Sequence, residues 1–168
     1  MSSIRWPRGS HHHHFKKQVS ENIDTILNGT ILAIDPASVR LGYAVTKKGK
    51  VTDQGVIELD QKAPINQRLQ DIVYTLQKDK EYDILAVEMI RGKMAHVYLK
   101  FSVGAVIGGA KAPVCIEVPI NSWKAYAGKD HKKSDDSDAV AMAETLIALR
   151  SEEHTSELQS QFRISYAV

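Results

Sequence analysis

The stretch ILAIDPASVRLGYAVT, residues 31–46, decides the fold of this 168-residue chain. It opens with four apolar residues, continues through Asp35 and a Pro-Ala-Ser sequence, and becomes apolar again at residue 41. An uninterrupted apolar run is typical of a strand that is buried on both faces, and Pro-Ala-Ser predicts a turn. The stretch therefore predicts two strands, residues 31–35 and 41–46, with a carboxylate at the end of the first.

The same reasoning extends along the rest of the chain. Pro64 suits the first turn of a helix, and the apolar residues that follow it recur at helical spacing. The further predicted elements are a strand at 51–59, a helix after Pro64, a strand at 83–87, a helix at 93–110, a strand at 114–118, a short helix capped by Asn121 and Ser122, and a last helix from Ser134. This β-β-β-α-β-α-β-α order predicts an α/β fold with a five-stranded mixed sheet flanked by helices. The fourth strand should pair parallel to the first through a right-handed crossover.

Two acids end apolar runs. Asp35 ends the run ILAID and Glu88 ends the run ILAVE, and packing gives no reason for a carboxylate at the end of a buried strand. If the two strands are parallel neighbours, both acids lie at their carboxyl ends, where ligands bind in open α/β sheets. The alternative is that both acids are ordinary turn residues at strand ends.

A third acidic segment, SDDSDAVAMA, lies at residues 134–143. Asp135 and Asp138 share one face of a helix, whereas Asp136 points about 100° away from Asp135. Converging carboxylates repel one another unless a cation lies between them, and their oxygens are ligands that Mg²⁺ takes. The acids therefore indicate a metal-dependent nuclease site. The alternative for Asp135 and Asp138 is that they are helix N-terminal charges favoured by the helix dipole.

Composition is that of one ordinary globular domain, with 43% apolar and 25% charged residues. No apolar run approaches the roughly 20 residues of a membrane span, and no signal-peptide pattern is present. The single cysteine, Cys115, excludes an internal disulfide. We therefore expect a protein of a reducing cytoplasm that does not bind membranes.

The charges are unevenly distributed. Residues 91–133 contain eight Lys and Arg against two acids, a formal charge of +6, whereas residues 51–90 carry a formal charge of −4. A basic segment beside an acidic site suits a phosphate backbone, although an ordinary solvated surface is the alternative for the segment and for each lysine. His96 and His131 lack metal-ligand spacing and are predicted to be surface residues. The candidate DNA-binding residues are Arg91, Lys93, Lys124, Lys129, Lys132 and Lys133.

Both ends of the chain look foreign to the domain at residues 30–149. The Arg-Gly-Ser sequence before the four histidines at 11–14 predicts that residues 1–29 are a tag-like, disordered segment. Residues 150–168 resemble the conceptual translation of a sequencing-library adapter, and a polar natural tail is the alternative.

Three motifs carry a family resemblance over residues 31–149. Asp-Pro-Ala-Ser with Gly42-Tyr43, the Ala-Val-Glu of the fourth strand and the Asp-x-x-Asp-Ala of the last helix resemble the RuvC-type Holliday junction resolvases, especially phage-encoded members, of the ribonuclease H-like superfamily. The resemblance implies a homodimer that cuts four-way DNA junctions with two Mg²⁺ or Mn²⁺ ions per site. It implies that the metal ligands and catalytic acids are Asp35, Glu88, Asp135 and Asp138. It also implies that Lys124, with Lys132 or Lys133, contacts the scissile phosphate or neutralises charge.

The sequence departs from the family pattern at three places. Ala37 stands where glycine is common, and Arg91 replaces an aromatic residue that stacks on a base. Only ten residues separate Lys124 from Asp135, where related enzymes carry a basic loop and an extra helix. Three functions therefore stay open: a structure-selective DNA endonuclease, another nuclease of this fold (a relaxed-specificity DNase or an RNA 5′ exonuclease), and a junction-binding protein that does not cut.

The predicted helix at 93–110 carries more apolar surface than one core needs. Met94, Val97, Tyr98 and Phe101 form one stripe, and Gly104 with Gly108 would let another helix approach closely. This pattern predicts the homodimer interface, and the alternative is a central helix buried wholly within its own domain.

Overall fold

The computed structural model of this protein describes the backbone of residues 3–78, 81–90 and 96–166, together with the side chains of those residues up to 152 and of Gln159. Its elements, in chain order, are α1 (Ser10–Ser20), α2 (Ile23–Asn28), β1 (Thr30–Asp35), β2 (Arg40–Lys47), β3 (Lys50–Glu58), α3 (Ile65–Gln77), β4 (Ile84–Glu88), α4 (Val97–Ala110), β5 (Val114–Val118), α5 (Ile120–Ala127) and α6 (Asp135–Tyr166).

The five strands form one mixed sheet in the order β3-β2-β1-β4-β5. Strand β1 pairs antiparallel with β2 and parallel with β4, as the sequence predicts. In the parallel pair Ile34 lies opposite Val87, so the next residue on each strand is an acid, Asp35 on β1 and Glu88 on β4. The hydrogen-bond ladder therefore sets these two acids side by side.

Both faces of the sheet are covered, which explains why β1 and β4 are apolar at every interior position. Ile31 and Ala33 face a core built with α1, α2, α5 and α6. Leu32 and Ile34 face a second core built with α3 and α4. Helix α6 crosses β1 and β2 on the first face, and it contributes Met142, Leu146 and Leu149 to that core.

The N-terminal helices differ from the expected disorder of residues 1–29. Phe15, Val19 and Ile26 are fully buried against the α6 side of the sheet. Burying each such side chain contributes about 1.5–3 kcal/mol, so α1 and α2 belong to the fold. The prediction of disorder is wrong at residues 10–28 because Phe15 and Val19, four residues apart, form an apolar stripe that continues past the histidine run. The origin of residues 1–29 and of residues 150–168 stays a prediction.

Two boundaries shift relative to the sequence expectation. Helix α5 starts at Ile120, directly after Pro119, so Asn121 and Ser122 lie inside it and do not cap it. Helix α4 starts at Val97 with His96 as its cap, and residues 91–95, which include Arg91, Lys93 and Met94, lie outside the described residues. Within the described ranges, no helix combines the length and the apolar character needed to cross a bilayer.

Candidate active site

Asp35 and Glu88 form a carboxyl pair at the ends of β1 and β4. Their side chains are joined by a hydrogen bond. Burial raises the pKa of Asp35 to about 8, and the charge of Glu88 and the hydrogen bond to it act in the same direction. Asp138 and Asp135 add smaller contributions of the same sign. The site is therefore a concentration of negative charge, and Asp35 relieves it by holding a proton at neutral pH in the metal-free protein.

The acids of α6 have different surroundings. Asp138 is buried, and its Oδ1 lies 2.7 Å from Nε2 of His131. Asp135 is half exposed, and its Oδ2 accepts a hydrogen bond of 3.3 Å from Nε of Arg40. Asp136 turns away to β3, where Nε2 of Gln54 donates to it at 3.1 Å and lowers its pKa. Asp136 therefore points away from the other three acids and the pair at the strand ends does not include it, as its position on the helix predicts.

Gly42 allows the start of α6 to reach the acid pair. Gly42 is the pairing partner of Asp35 on β2, and a Cβ atom added to it would overlap the backbone carbonyl of Asp135. Glycine at this position therefore brings the first turn of α6 against the strand that flanks Asp35. Without that close approach, Asp135 and Asp138 would lie further from β1.

The turn after Asp35 is held by a buried arginine. Arg68 on α3 donates from a terminal guanidinium nitrogen to the carbonyl oxygen of Ser38 at 3.0 Å, and its guanidinium lies 5.5 Å from the ring centre of Tyr98. A charged donor bound to a backbone acceptor contributes about 1.5–3 kcal/mol. Arg68 therefore joins α3 and the start of α4 to the segment that positions Asp35.

Three of the acids line one open cleft. Asp35, Glu88 and Asp138 share a cavity of about 520 Å³ with Lys124 and Lys133. The remaining lining residues are Ile120, Trp123, Ala127, Gly128 and His131. Lys129 and Lys132 are exposed on the α5–α6 connection but do not line the cleft. Acids and lysines from distant parts of the sequence thus meet at one edge of the sheet.

Solved structures of two resolvases share this architecture. Thermus thermophilus RuvC in complex with a Holliday junction substrate has a TM-score of 0.59 at 18% identity, over 74% of this chain and 95% of that chain. A further T. thermophilus RuvC structure gives 0.58 at 20% identity, over 75% and 97%. The yeast mitochondrial Holliday junction resolvase Ydc2 gives 0.54 at 11% identity, over 89% and 96%. This chain has the RuvC fold. No protein-family model and no curated protein matches its sequence.

The RuvC fold is ribonuclease H-like, so the predicted fold class is confirmed. On this fold, the donor set at the sheet edge consists of carboxylate oxygens, which are the ligands of a hard divalent cation. Asp35 holds a proton because it is buried and because its carboxylate would repel Glu88, and a bound cation would relieve the same repulsion. In the part of the chain that the structure describes, no three His, Cys, Asp or Glu side chains converge closely enough to hold one metal ion. Asp135 and Asp138 are bonded to Arg40 and His131 instead.

Two residues of the cleft are absent from the sequence-based site. His131 is predicted to be a surface residue, yet its side chain is 20% exposed and bonded to Asp138. Trp123 is 4% exposed, and its Nε1 donates to Oε1 of Glu88 at 3.2 Å. The nearness of His131 to the final acids in sequence is the one signal that could have indicated its place.

Proposed function

We infer that this protein is a metal-dependent, structure-selective DNA endonuclease that cuts four-way junctions by phosphodiester hydrolysis. The observation that carries this proposal is the hydrogen-bonded pair of Asp35 and Glu88, which faces Asp138 across a cleft lined by lysines. A site that needs a hard cation beside basic side chains suits a phosphodiester substrate. The likeness to a RuvC structure that contains a Holliday junction supports the choice of a branched DNA.

Each side chain of the cleft has a role in this proposal. Asp35 and Glu88 at the strand ends, together with Asp135 and Asp138 on α6, would hold two Mg²⁺ or Mn²⁺ ions. When bound, the ions supply a nucleophilic water at neutral pH and stabilise the negative charge of the transition state.

Lys124 and Lys133 line the cleft, where they would neutralise the phosphate that is cut. Lys129 and Lys132 lie on the exposed connection beside it, where they would bind the flanking backbone. Arg91 and Lys93 keep their proposed DNA-binding role from the sequence alone.

A homodimer is the proposed functional unit, because a four-way junction has approximate two-fold symmetry and needs paired cuts. Helix α4 has one face that the described part of the chain leaves uncovered. Val97, Phe101 and Ile107 are exposed there, and a Cβ atom added to Gly104 or Gly108 would meet no atom within 4 Å. The helix is therefore not wholly buried, and its open face is available to a second copy of the chain.

A nuclease of relaxed specificity is the second candidate. It is favoured by the short connection between Lys124 and Asp135, since few residues are available there to recognise junction shape. A protein that binds junctions without cutting is a weaker candidate, because it would need neither the Asp35–Glu88 pair nor Asp138 in the cleft.

One assay separates these functions. Cleavage of a synthetic four-way junction, a linear duplex of the same sequence and an RNA hairpin is measured across a Mg²⁺ titration, with Asp35→Asn as the inactive control. Metal-dependent, paired cuts in the junction alone support the proposal, whereas cuts in all three substrates support the relaxed nuclease. Junction binding without any cut, by wild type as by Asp35→Asn, would refute nuclease activity.

A further inference from the structure

Two buried or half-buried rings each touch one acid of the site. Nε1 of Trp123 donates to Oε1 of Glu88 at 3.2 Å, and Nε2 of His131 lies 2.7 Å from Oδ1 of Asp138. Carboxylate oxygens accept hydrogen bonds, so this contact requires the His131 tautomer that carries its hydrogen on Nε2. In each acid the ring contacts one carboxylate oxygen, Oε1 of Glu88 or Oδ1 of Asp138.

The two rings also contact each other. Their centres are 5.8 Å apart, and their planes cross at 71° in an edge-to-face arrangement. This contact completes a continuous path from Glu88 on β4 through Trp123 and His131 to Asp138 on α6. The path spans the cleft between the two elements that carry these acids.

Helix α5, which carries Trp123, is itself fixed to α6. The hydroxyl of Tyr126 donates to Oε2 of Glu144 at 2.5 Å. Trp123 is too deeply buried to stack on a nucleic-acid base. The ring of Trp123 therefore packs inside the protein, and its one polar atom, Nε1, donates to Glu88.

We propose that Trp123 and His131 are positioning residues that orient Glu88 and Asp138 for a divalent cation. This inference rests on the proposed function, in which both acids are metal ligands. A carboxylate that is held at one oxygen presents its second oxygen in a fixed direction, so less ordering is required when the cation binds. Hydrogen bonds of this outer kind typically change metal affinity by about 10–100-fold.

The test measures Mn²⁺ affinity directly, by the decrease of the free-ion paramagnetic resonance signal, in the full chain without DNA. Trp123→Phe keeps an aromatic ring but removes the donor to Glu88 together with part of the indole, and His131→Leu removes the donor to Asp138. We expect each to weaken Mn²⁺ binding about 10–100-fold, while His131→Gln, which keeps an N–H donor, stays closer to wild type. Raising the Mn²⁺ concentration should restore most of the cleavage of a four-way junction.

Two matched substitutions control for the loss of a ring elsewhere. Trp6→Phe removes an indole donor that bonds to Glu152, and His96→Leu removes an imidazole that caps α4. Both should bind Mn²⁺ as wild type does. If Trp123→Phe does not fold, the pair His131→Leu and His131→Gln decides alone.

The outcomes separate this inference from the proposed function. A wild-type protein that binds no Mn²⁺ would refute the metal site itself. A wild type that binds Mn²⁺, with variants of equal affinity, would overturn the positioning role. Equal affinity with a reduced kcat would likewise overturn it, since His131 would then act on the substrate directly.

Discussion

The α-carbon of Gly42 and the backbone carbonyl of Asp135 are packed so closely that no side chain fits between them. This contact joins the second strand to the first turn of α6. Because Gly42 is also the pairing partner of Asp35, one residue without a side chain sets the distance between the two groups of acids.

Gly42→Ala should therefore displace the start of α6. We expect the rate of cleavage to fall strongly while the protein stays folded. A Cβ atom there would overlap the carbonyl of Asp135, and it would lie 2.8 Å from the backbone nitrogen of Asp136. We expect a folded protein by circular dichroism whose Mn²⁺ affinity falls at least about tenfold, as for other changes that misplace metal ligands. Gly9→Ala is the control, because its Cβ would meet no atom within 4 Å. Unchanged metal affinity in Gly42→Ala would show that α6 can shift without effect on the site.

Asp35→Asn should alter the pH dependence of stability in the metal-free protein. The Asp35 carboxyl ionises near its ordinary pKa of 3.8 when unfolded but keeps its proton to a pKa of about 8 when folded. The folded state binds more protons between these values, so the stability from this group is full below pH 3.8 and is lost as the pH rises through about 8. Asp35→Asn should flatten that decline.

Urea denaturation from pH 4 to pH 9 in the presence of a chelator measures this effect. At the upper end of the range, Asp35→Asn should be at least as stable as wild type, although it no longer cleaves DNA and gains no stability from Mg²⁺. Asp60→Asn, on the exposed turn before α3, should keep the wild-type slope. A wild-type slope in Asp35→Asn would mean that another group causes the decline.

Asp138→Asn should damage cleavage far more than Asp136→Asn. Asp138 lines the cleft, whereas the carboxylate of Asp136 bonds to Gln54 and Ser134 outside it. We expect a loss of about 100-fold or more for Asp138→Asn, at or above the range for outer-shell partners of a metal, and a loss of less than about threefold for Asp136→Asn. Initial rates on a four-way junction at saturating Mg²⁺ measure both. Equal losses of cleavage rate in the two variants would show that the assignment of Asp138, and not Asp136, to the site is wrong.

Phe101→Glu should convert the protein to a monomer. Phe101 lies on the uncovered face of α4 and is 47% exposed, so a charge there would be buried unpaired in a dimer. Sedimentation at micromolar concentration should detect the change in a variant that ends at Leu149, which removes any effect of the tail. Tyr74→Glu, at a position of α3 that is 66% exposed, should leave association unchanged. A wild-type monomer that still makes paired cuts would contradict the proposed dimer.

Lys124→Ala and Lys133→Ala should each weaken junction binding and reduce its salt dependence. Each lysine that neutralises one phosphate contributes about one unit to the slope of log affinity against log salt concentration. Titrations with a labelled junction in the presence of Ca²⁺, from low to moderate salt, measure the slope. Lys47→Ala is the control, since Lys47 lies at the opposite end of the sheet, paired with Thr30. If neither Lys124→Ala nor Lys133→Ala changed the salt dependence of binding, the DNA would bind at another surface.

The strand acids could be predicted from sequence because strand pairing is a local and periodic property. Apolar runs define β1 and β4. Parallel pairing of these two strands then sets Asp35 and Glu88 side by side at their carboxyl ends. The face shared by Asp135 and Asp138 follows from helical geometry in the same way.

The contacts of His131 and Trp123 could not be predicted, because they depend on how α5 packs against β4 and α6. A hydrogen bond from a ring nitrogen has no periodic signature in the sequence. The helices α1 and α2 could not be predicted for a different reason. The histidine run suggests a tag, and the burial of Phe15 and Val19 depends on residues of α6 and the sheet that are distant in sequence.

Helix α6 carries Asp135 and Asp138 but follows all five strands in the chain. During synthesis, Asp35 and Glu88 therefore leave the ribosome well before the other two acids. The sheet can begin to pair while α6 is still inside the exit tunnel, so a nascent chain has only half of its acidic centre. If the protein is the nuclease proposed above, this order of synthesis would withhold its activity until the late helix docks on β1 and β2.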